Sequence, residues 1–413
     1  MNSITARKRS NIFFIVLFLV LIYSPIILVG TNRYFIPEFI IYFVLGIYIF
    51  LFRFNRIRLT GISKILIQFN ILYLLVIFAT ILLKNGYNVE YVYQYRLILM
   101  STVWFVFLDN YFSNISETGL KKTFGKSLFY LIGIPIIGIV SLFSDGFREL
   151  IYKIYVPAIN IYDSVGYVFA GFREPGIFKD YYTASIFYFT LFFSVIYYRR
   201  YITLSKLNII DFAFLLILIL AEIVTGRTGL YASALLILFL ILFNRKTFRF
   251  DSSIIILSPL IVFAFITTIS KIDIVTINWA FESFIGSDLS TKSTVDGVNT
   301  VVTFWDYLIN NLDILIIPLH PKSFGIALPF YSDSFYIQEI VRHGIWGFLV
   351  YMFFAYKLFF YFKRMKNNNL NILVGSLFLL NIKGGNVLFM ERSSIFLWTA
   401  IFFMDKIYRL RNS

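Results

Sequence analysis

Residues 209–243 read IIDFAFLLILILAEIVTGRTGLYASALLILFLILF, two apolar runs joined by a short turn that holds Glu222 and Arg227. Each run has the length and apolarity of an α-helix that crosses a membrane. A transmembrane β-strand would instead alternate apolar and polar residues. The stretch therefore predicts two neighbouring transmembrane helices connected by a tight turn.

Similar apolar runs recur along all 413 residues, of which 59% are hydrophobic and only 14% are charged. The mean hydropathy is +0.80. These values exclude an ordinary soluble domain and predict an all-α, polytopic membrane protein. The chain has no cysteine, so disulfides and cysteine-ligated metals are excluded. We see no other metal-binding pattern and expect no metal and no cofactor.

We predict about twelve transmembrane helices, with both termini on the same side of the membrane. The predicted spans are 12–29, 36–52, 65–83, 96–112, 127–143, 182–198, 208–224, 228–243, 253–270, 343–361, 370–384 and 394–407. The last two are short and are separated by GGNVLFMERSS, so ten spans followed by a broken or re-entrant pair are also possible.

Basic residues indicate which side of the membrane is cytoplasmic. If the N-terminus lies inside, every second loop is short and rich in Lys and Arg, as in 121–126 and 245–249. This arrangement obeys the positive-inside rule and predicts cytoplasmic termini. The residues that give the net charge of +15 are concentrated in these loops and do not form a basic stripe, so we expect no nucleic-acid partner.

The opposite side then carries two long extracytoplasmic loops, 144–181 and 271–342. We expect both to belong to a single integral membrane domain that covers 1–413. The second loop is long enough to contain short helices and to form a cap at the interface. Long loops on one side place the working surface outside the cytoplasm.

The first long loop ends in FREPGIFKD, residues 172–180. This stretch puts Arg173 and Glu174 directly before Pro175 and Gly176, at the start of a predicted span. The two charged side chains could close the loop as an internal ion pair, with the proline and glycine supplying a turn. They could equally face a substrate.

The turn Thr225–Gly229 reads TGRTG and places Arg227 at the start of the next predicted span. The free backbone N–H groups of a helix N-terminus favour anions, so the position suits a phosphate. Alternatively, Arg227 reaches lipid headgroups or pairs with Glu222.

The end of the second long loop, residues 323–348, reads SFGIALPFYSDSFYIQEIVRHGIWGF. It offers two acids, two tyrosines that could stack on sugar rings, and one arginine: Asp333, Glu339, Tyr331, Tyr336 and Arg342. Asp333 could also cap a short helix. His343 is as readily a structural histidine at the membrane interface.

The order of these three stretches resembles the O-antigen polymerase and O-antigen ligase superfamily. The resemblance is carried by Phe172–Phe178, Thr225–Gly229 and Gly325–Gly347, and it covers roughly residues 120–360. The ligase branch usually has a histidine followed by an asparagine in the large loop. Here Ser332–Ser334 stands at the comparable place, so the chain resembles the polymerase branch more closely.

The resemblance implies a multi-pass enzyme of the bacterial plasma membrane that acts on undecaprenyl-diphosphate-linked oligosaccharide repeat units. Such a polymerase transfers the growing glycan from its lipid carrier to the non-reducing end of a new unit, outside the cytoplasm. The product would be O-antigen, capsule or exopolysaccharide. Membrane lipid is an implied partner, and a flippase and a chain-length regulator of the same pathway are possible ones.

The implied reaction assigns roles to the charged residues. Three arginines would hold the donor diphosphate, because guanidinium groups match phosphate oxygens and stay charged: Arg173, Arg227 and Arg342. The base that takes the proton of the acceptor hydroxyl is expected to be Asp333, with Glu174 and Glu339 as further candidates. Tyr331 and Tyr336 would contact the glycan.

Other functions are an O-antigen ligase, a transporter such as a flippase for the same lipid-linked units, and a non-catalytic assembly partner. Transporters place ionisable residues near the middle of the bilayer and use repeated, broken helices. The middles of most predicted spans carry no charge, which favours catalysis over transport.

Overall fold

Helices make up almost all of the described chain. A helix hydrogen-bonds its own backbone groups, as the hydrocarbon core of a bilayer would require. The computed structural model describes residues 2–25, 27–29, 33–35, 38–53, 57–84, 89–155, 176–178, 181–225, 227–243, 252–272, 335–381 and 386–412. Apart from helices and turns, these ranges contain one small β-hairpin.

Fourteen α-helices lie in the described ranges. They are α1 (Asn2–Ile22), α2 (Glu38–Arg53), α3 (Gly61–Lys84), α4 (Val89–Tyr111), α5 (Glu117–Tyr130), α6 (Gly133–Phe143), α7 (Asp145–Tyr155), α8 (Tyr181–Tyr197), α9 (Ile209–Thr225), α10 (Arg227–Phe243), α11 (Ser252–Ile269), α12 (Phe335–Arg364), α13 (Asn368–Leu380) and α14 (Glu391–Asn412). A helix lies at the position of each of the twelve predicted spans.

Several helix boundaries differ from the predicted spans: α4 begins at Val89 rather than at 96, and the span predicted at 127–143 is made by α5 and α6, which begin at Glu117. Helix α1 ends at Ile22 rather than at 29, because the residue before Pro25 is disfavoured in a helix. Strand β1 (Ile27–Val29) follows and pairs antiparallel with β2 (Arg33–Phe35). Helix α12 begins at Phe335 rather than at 343, and its backbone is non-helical at Gly344, so the predicted start lies at this break within the helix.

Among the residues that the structure describes, three helical segments are long and apolar enough to cross a membrane, judged by length and composition. They are Gly61–Leu83 in α3, Glu117–Phe143 formed by α5 and α6, and Phe335–Arg364 in α12. Shorter apolar helical segments occur at Ile12–Ile22, Ile40–Ile49 and Asn368–Leu380. The fold is therefore helical, and its apolar helices indicate association with a membrane.

The chain divides into two compact units that interleave along the sequence. Unit 1 contains Met1–Val44, Asn114–Phe281 and Ile395–Ser413, and unit 2 contains Leu45–Ser113 and Glu282–Ser394. Each unit is thus assembled from segments far apart in the sequence. The prediction of a single integral membrane domain is not tested by this division.

Aromatic rings hold the core of unit 1 together around α14. Phe403 stacks on Phe124 of α5 at 5.2 Å between ring centroids and meets Phe14 of α1 edge-on at 5.7 Å. Two turns earlier on the same side of α14, the ring of Phe396 packs against that of Phe187 in α8, with 5.0 Å between their centroids. Helix α14 therefore contacts α1, α5 and α8 within this unit.

The last turn of α14 also caps the end of α8. That end continues into a π-helical turn, Tyr198–Ile202, whose final carbonyls lack partners within the helix. Arg411 donates hydrogen bonds to the carbonyl oxygens of Tyr201 and Ile202. The same guanidinium lies 3.2 Å from a carboxylate oxygen of Glu117 in α5, so one side chain ties three helices.

In unit 2, α3 packs along α12, and stacked aromatic rings fill the contact. The ring of Phe69 lies 4.3 Å from that of Phe354 and 5.4 Å from that of Phe389, measured between centroids. Phe389 belongs to a short 3-10 helix, Val387–Phe389, between α13 and α14. The interrupted region near the end of the chain is thus anchored in the core.

Buried Asn381 at the end of α13 forms hydrogen bonds to residues on both sides of this interruption. Its side-chain amide donates to the hydroxyl of Tyr351 at 2.6 Å and accepts the N–H of Val387 at 2.8 Å. Its backbone carbonyl accepts the N–H of Phe335 at 3.0 Å, at the start of α12. A break between α13 and the 3-10 helix is therefore compatible with a low-dielectric core, because these polar groups are satisfied.

A buried carboxylate joins the end of α4 to the start of α3. Asp109 Oδ2 accepts the N–H of Thr60 at 3.0 Å and the hydroxyl of Thr60 at 2.7 Å. The hydroxyl of Ser63 donates to the same oxygen. The carboxylate thus takes up donors at the N-terminus of α3, where a negative charge is favourable.

Replacing this carboxylate should weaken unit 2. We expect Asp109→Ala to lower the free energy of unfolding by about 3 kcal/mol, because buried donors lose a charged acceptor. SDS titration in mixed micelles, followed by tryptophan fluorescence, measures the change. Asp145→Ala is the matched control, since that side chain is 95% exposed and its removal should have little effect. Equal destabilisation by both substitutions would contradict the assignment.

Candidate functional site

The end of the FREPGIFKD stretch is anchored in unit 1, close to the start of α8. Gly176 has a positive φ of 63°, and a Cβ at this position would lie 3.2 Å from the Cα of Gly138 in α6. Only glycine meets both requirements without strain. Phe178 is buried, with its ring 4.9 Å from that of Phe187 and edge-on to that of Tyr188.

The TGRTG turn is fixed on the same part of α8. The N–H of Gly229 donates to the hydroxyl of Ser185 at 2.6 Å, and a Cβ on Gly229 would lie 2.6 Å from the Ser185 carbonyl oxygen. Two of the three stretches therefore meet at the first turns of α8. Because Ser185 already engages this N–H in the first turn of α10, that donor is not directed at a phosphate.

Glu222 is a fully buried carboxylic acid on α9 beside this turn. Its Oε1 accepts the hydroxyl of Ser233 in α10 at 2.8 Å. Arg227 is the first residue of α10, but its side chain lies outside the described residues. A pairing of Glu222 with Arg227 therefore stays one of the alternatives.

A second polar cluster lies in unit 2, where α12 packs on α3 and α4 supplies a further side chain. Glu339 on α12 is 0% exposed. The hydroxyl of Tyr73 on α3 lies 3.1 Å from Glu339 Oε2 and 3.0 Å from Gln94 Oε1 on α4. Arg342 follows Glu339 by three residues on α12 and interacts electrostatically with Glu339 and Tyr73.

The single hydroxyl proton of Tyr73 can serve only one of its two acceptors at a time. In one arrangement Glu339 is protonated and donates to Tyr73, whose own proton goes to Gln94 Oε1. In the other, Glu339 is ionised and accepts the Tyr73 proton, while the Gln94 amide is flipped and donates an N–H to the Tyr73 oxygen. The cluster can therefore accommodate Glu339 with or without a proton.

Gly347 of α12 makes space for Glu339, and Gly344 breaks the helix between them. A Cβ on Gly347 would lie 2.6 Å from Glu339 Oε1 and 2.6 Å from the Cβ of His343. Gly344 interrupts the helix with φ 66° and ψ −167°, a conformation almost confined to glycine. His343, between these features, lies edge-on to Tyr73 at 5.4 Å between ring centroids. The helix is thus shaped around the carboxyl group.

Tyr336, a predicted glycan contact, packs among protein groups at the start of α12. Its hydroxyl donates to the carbonyl of Phe378 in α13 at 2.6 Å. Its ring lies edge-on to Phe348 at 5.9 Å and to Tyr351 at 6.2 Å. These contacts hold α12 against α13, and the role in binding glycan stays a prediction.

The other predicted site residues cannot be placed. Arg173, Glu174, Tyr331 and Asp333 lie outside the described residues. Of the three predicted arginines, only Arg342 has a described side chain, so their convergence is not tested. What the structure brings together is Glu339 and Arg342, the third-ranked base and one of the three cations.

Tyr73 and Gln94 were missed by the sequence analysis, and no local signal marks them. Tyr73 is one of 29 tyrosines and lies within an apolar run. Its partner Glu339 is 266 positions away, so the local sequence does not indicate the contact. Gly347 did carry a signal, since it closes the Gly325–Gly347 stretch.

No protein-family model, no curated protein and no solved structure matches the chain. Within the described ranges, no group of three His, Cys, Asp or Glu side chains could hold a metal ion.

The close approach of α10 to α8 can be tested at its glycine. We expect Gly229→Ala to destabilise unit 1 by about 2 kcal/mol, because the added methyl group meets the Ser185 backbone. Gly146→Ala is the matched control: nothing lies within 4 Å of a Cβ there, and helix propensity predicts a gain of up to about 1 kcal/mol. Unfolding in mixed micelles distinguishes them, and equal effects would argue against the contact.

The Tyr73–Glu339 contact can be measured by a double-mutant cycle. We expect Tyr73→Phe and Glu339→Gln to be coupled by about 1–2 kcal/mol in the free energy of unfolding, because each removes part of one buried interaction. The control pairs Glu339→Gln with Tyr356→Phe, which alters an exposed tyrosine of the same helix. Additive effects in the Tyr73 cycle would show that no such contact exists.

Proposed function

We propose that the chain is a polymerase of polyprenyl-diphosphate-linked oligosaccharide units at the outer face of a bacterial plasma membrane. It transfers the growing glycan from its lipid carrier to the non-reducing end of a new unit. The resemblance of three stretches to O-antigen polymerases supports this proposal. The structural observation that carries it is the cluster of buried Glu339 and Tyr73 with half-buried Arg342.

The positions of Glu339 and Arg342 support the proposed roles of acid and cation. Residues three apart on a helix share a face, so Glu339 and Arg342 lie side by side on α12. They directly follow the segment 271–334, the larger part of the predicted outer loop. Ionisable residues within a membrane helix are rare and usually functional. A carboxylate can accept a proton, and a neighbouring guanidinium group can balance the negative charge of a leaving phosphate.

In the proposed step, Glu339 as carboxylate accepts the proton of the acceptor hydroxyl. The hydroxyl oxygen forms a bond to C1 of the donor sugar while the bond from C1 to the phosphate oxygen breaks. The electron pair leaves with the diphosphate, and Arg342, together with Arg173 and Arg227, stabilises its charge. Asp333 and Glu174 are the alternative bases.

The topology that goes with this function has twelve spans, cytoplasmic termini and two outer loops, 144–181 and 271–342. A helix at each predicted span and basic residues in every second loop support it. The version with ten spans and a broken pair fits the interruption around Val387–Phe389. A flippase and a chain-length regulator are the expected pathway partners.

One observation favours transport as the second candidate function. Glu222 and Glu339 are fully buried in apolar helices, and α12 is broken at Gly344. Buried ionisable residues and broken helices are features of secondary transporters. A flippase for the same lipid-linked units would have these features as well.

Complementation of a host strain that lacks its own copy tests the function. We expect Arg173→Ala, Arg227→Ala and Glu339→Gln to leave single repeat units on the final acceptor, while the protein still reaches the membrane. Electrophoresis of the surface glycan gives the chain-length distribution. Glu149→Gln is the control, because this glutamate is exposed on α7 and should leave the full ladder of chain lengths.

The other outcomes identify the other functions. Ordinary ladders from both arginine variants would exclude the arginine clamp. Repeat units that accumulate on the cytoplasmic side would indicate a flippase. Long glycans that remain on the lipid carrier and never reach the final acceptor would indicate a ligase.

A further inference from the structure

Helix α7 (Asp145–Tyr155) is amphipathic. Apolar residues recur every three or four positions, so they fall on one side of the helix: Phe147, Leu150, Ile151, Ile154 and Tyr155. Ser144 begins the helix, since its hydroxyl accepts the N–H of Phe147 at 3.4 Å and its carbonyl accepts that of Arg148 at 2.8 Å. The sequence therefore builds a short, well-started helix with a continuous apolar face.

Only part of that apolar face is covered by protein. Ile151 and Tyr152 are buried and pack against Ile137 of α6. Leu150 and Ile154 remain 52% and 37% exposed. Two large aliphatic side chains on adjacent turns thus form an apolar strip beside the packed side of the helix.

The strip continues the apolar surface of a candidate membrane span. On α6, exposed Ile136, Val140 and Phe143 fall on one side of the helix. They belong to Glu117–Phe143, one of the three segments apolar enough to cross a membrane. A single residue, Ser144, separates α6 from α7, so the exposed apolar side of the candidate span and the exposed strip follow each other directly in the chain.

The charges of α7 lie away from the strip and cancel. Arg148 pairs with Asp145, and Lys153 Nζ lies 2.9 Å from Glu149 Oε1. Glu149 and Lys153 are exposed, on the side opposite the packed face. A helix without net charge gains little from anionic lipid, so its affinity for a membrane must come from apolar burial.

We propose that α7 lies along the membrane surface, with Leu150 and Ile154 inserted at the boundary between headgroups and acyl chains and with Glu149 and Lys153 in water. The partner is the bilayer itself, irrespective of anionic headgroups. This inference is independent of the proposed glycosyl transfer. A second copy of the chain is the other occupant of such a strip.

Site-directed spin labelling tests the placement, because the chain has no native cysteine to remove. The full-length protein carries one substitution at a time, Leu150→Cys, Ile154→Cys or Glu149→Cys, and is reconstituted in phosphatidylcholine vesicles. Collision rates of the label with oxygen and with a water-soluble nickel chelate report its depth. Ile151→Cys adds a folding control, since a packed position is poorly accessible to both reagents.

We expect oxygen to exceed nickel several-fold at positions 150 and 154, and the reverse at 149. Adding phosphatidylglycerol should leave these ratios unchanged. Labels at 150 and 154 as open to nickel as the label at 149 would overturn the proposal. Spin–spin broadening that disappears on dilution with unlabelled protein would show that a second copy of the chain covers the strip and would overturn the proposal. A strong dependence on phosphatidylglycerol would refute the apolar mode of binding.

Discussion

A polar group inside an apolar core has to find its partner within the protein, and this constraint decides which helices are neighbours. The buried acids of the described chain each reach a group on another element or one turn away. Asp109 joins α4 to the start of α3, Glu222 joins α9 to α10, and Glu339 joins α12 to α3. The apolar surface has specific contacts of its own, such as the stacking of Phe403 on Phe124. The polar contacts and the packed apolar side chains therefore specify the arrangement together.

The difference between local sequence properties and contacts between distant residues explains how much the sequence could predict. An apolar run is a local property, so every predicted span has a helix at its position. The boundary at Phe335 was missed because a hydropathy pattern stops at Glu339 and Arg342, which a buried helix can contain once they have partners. Tyr73 was missed for the complementary reason: its role is created by a residue on a distant helix. Glu339 ranked third among the candidate bases, since nothing in its neighbours along the chain reveals its burial.

The three stretches that resemble O-antigen polymerases contain both packing residues and candidate chemical groups. Gly176 meets Gly138, Gly229 meets Ser185, and Gly347 leaves room for Glu339. Each glycine is required because a Cβ would collide or because the backbone conformation excludes other residues. Part of the resemblance therefore describes how helices approach one another. The arginines of the same stretches, Arg173, Arg227 and Arg342, stay the predicted candidates for chemistry, and only Arg342 has a side chain among the described residues.

The interleaving of the two units also sets an order of events during synthesis. Arg411 caps carbonyl groups of a helix end that emerges from the ribosome 210 residues earlier, and Phe403 completes a ring cluster begun by Phe14. Unit 1 therefore stays incomplete while the last segment of unit 2 is still being translated. The faces of α1, α5 and α8 that contact α14 are therefore covered by it only when the last residues of the chain have been made.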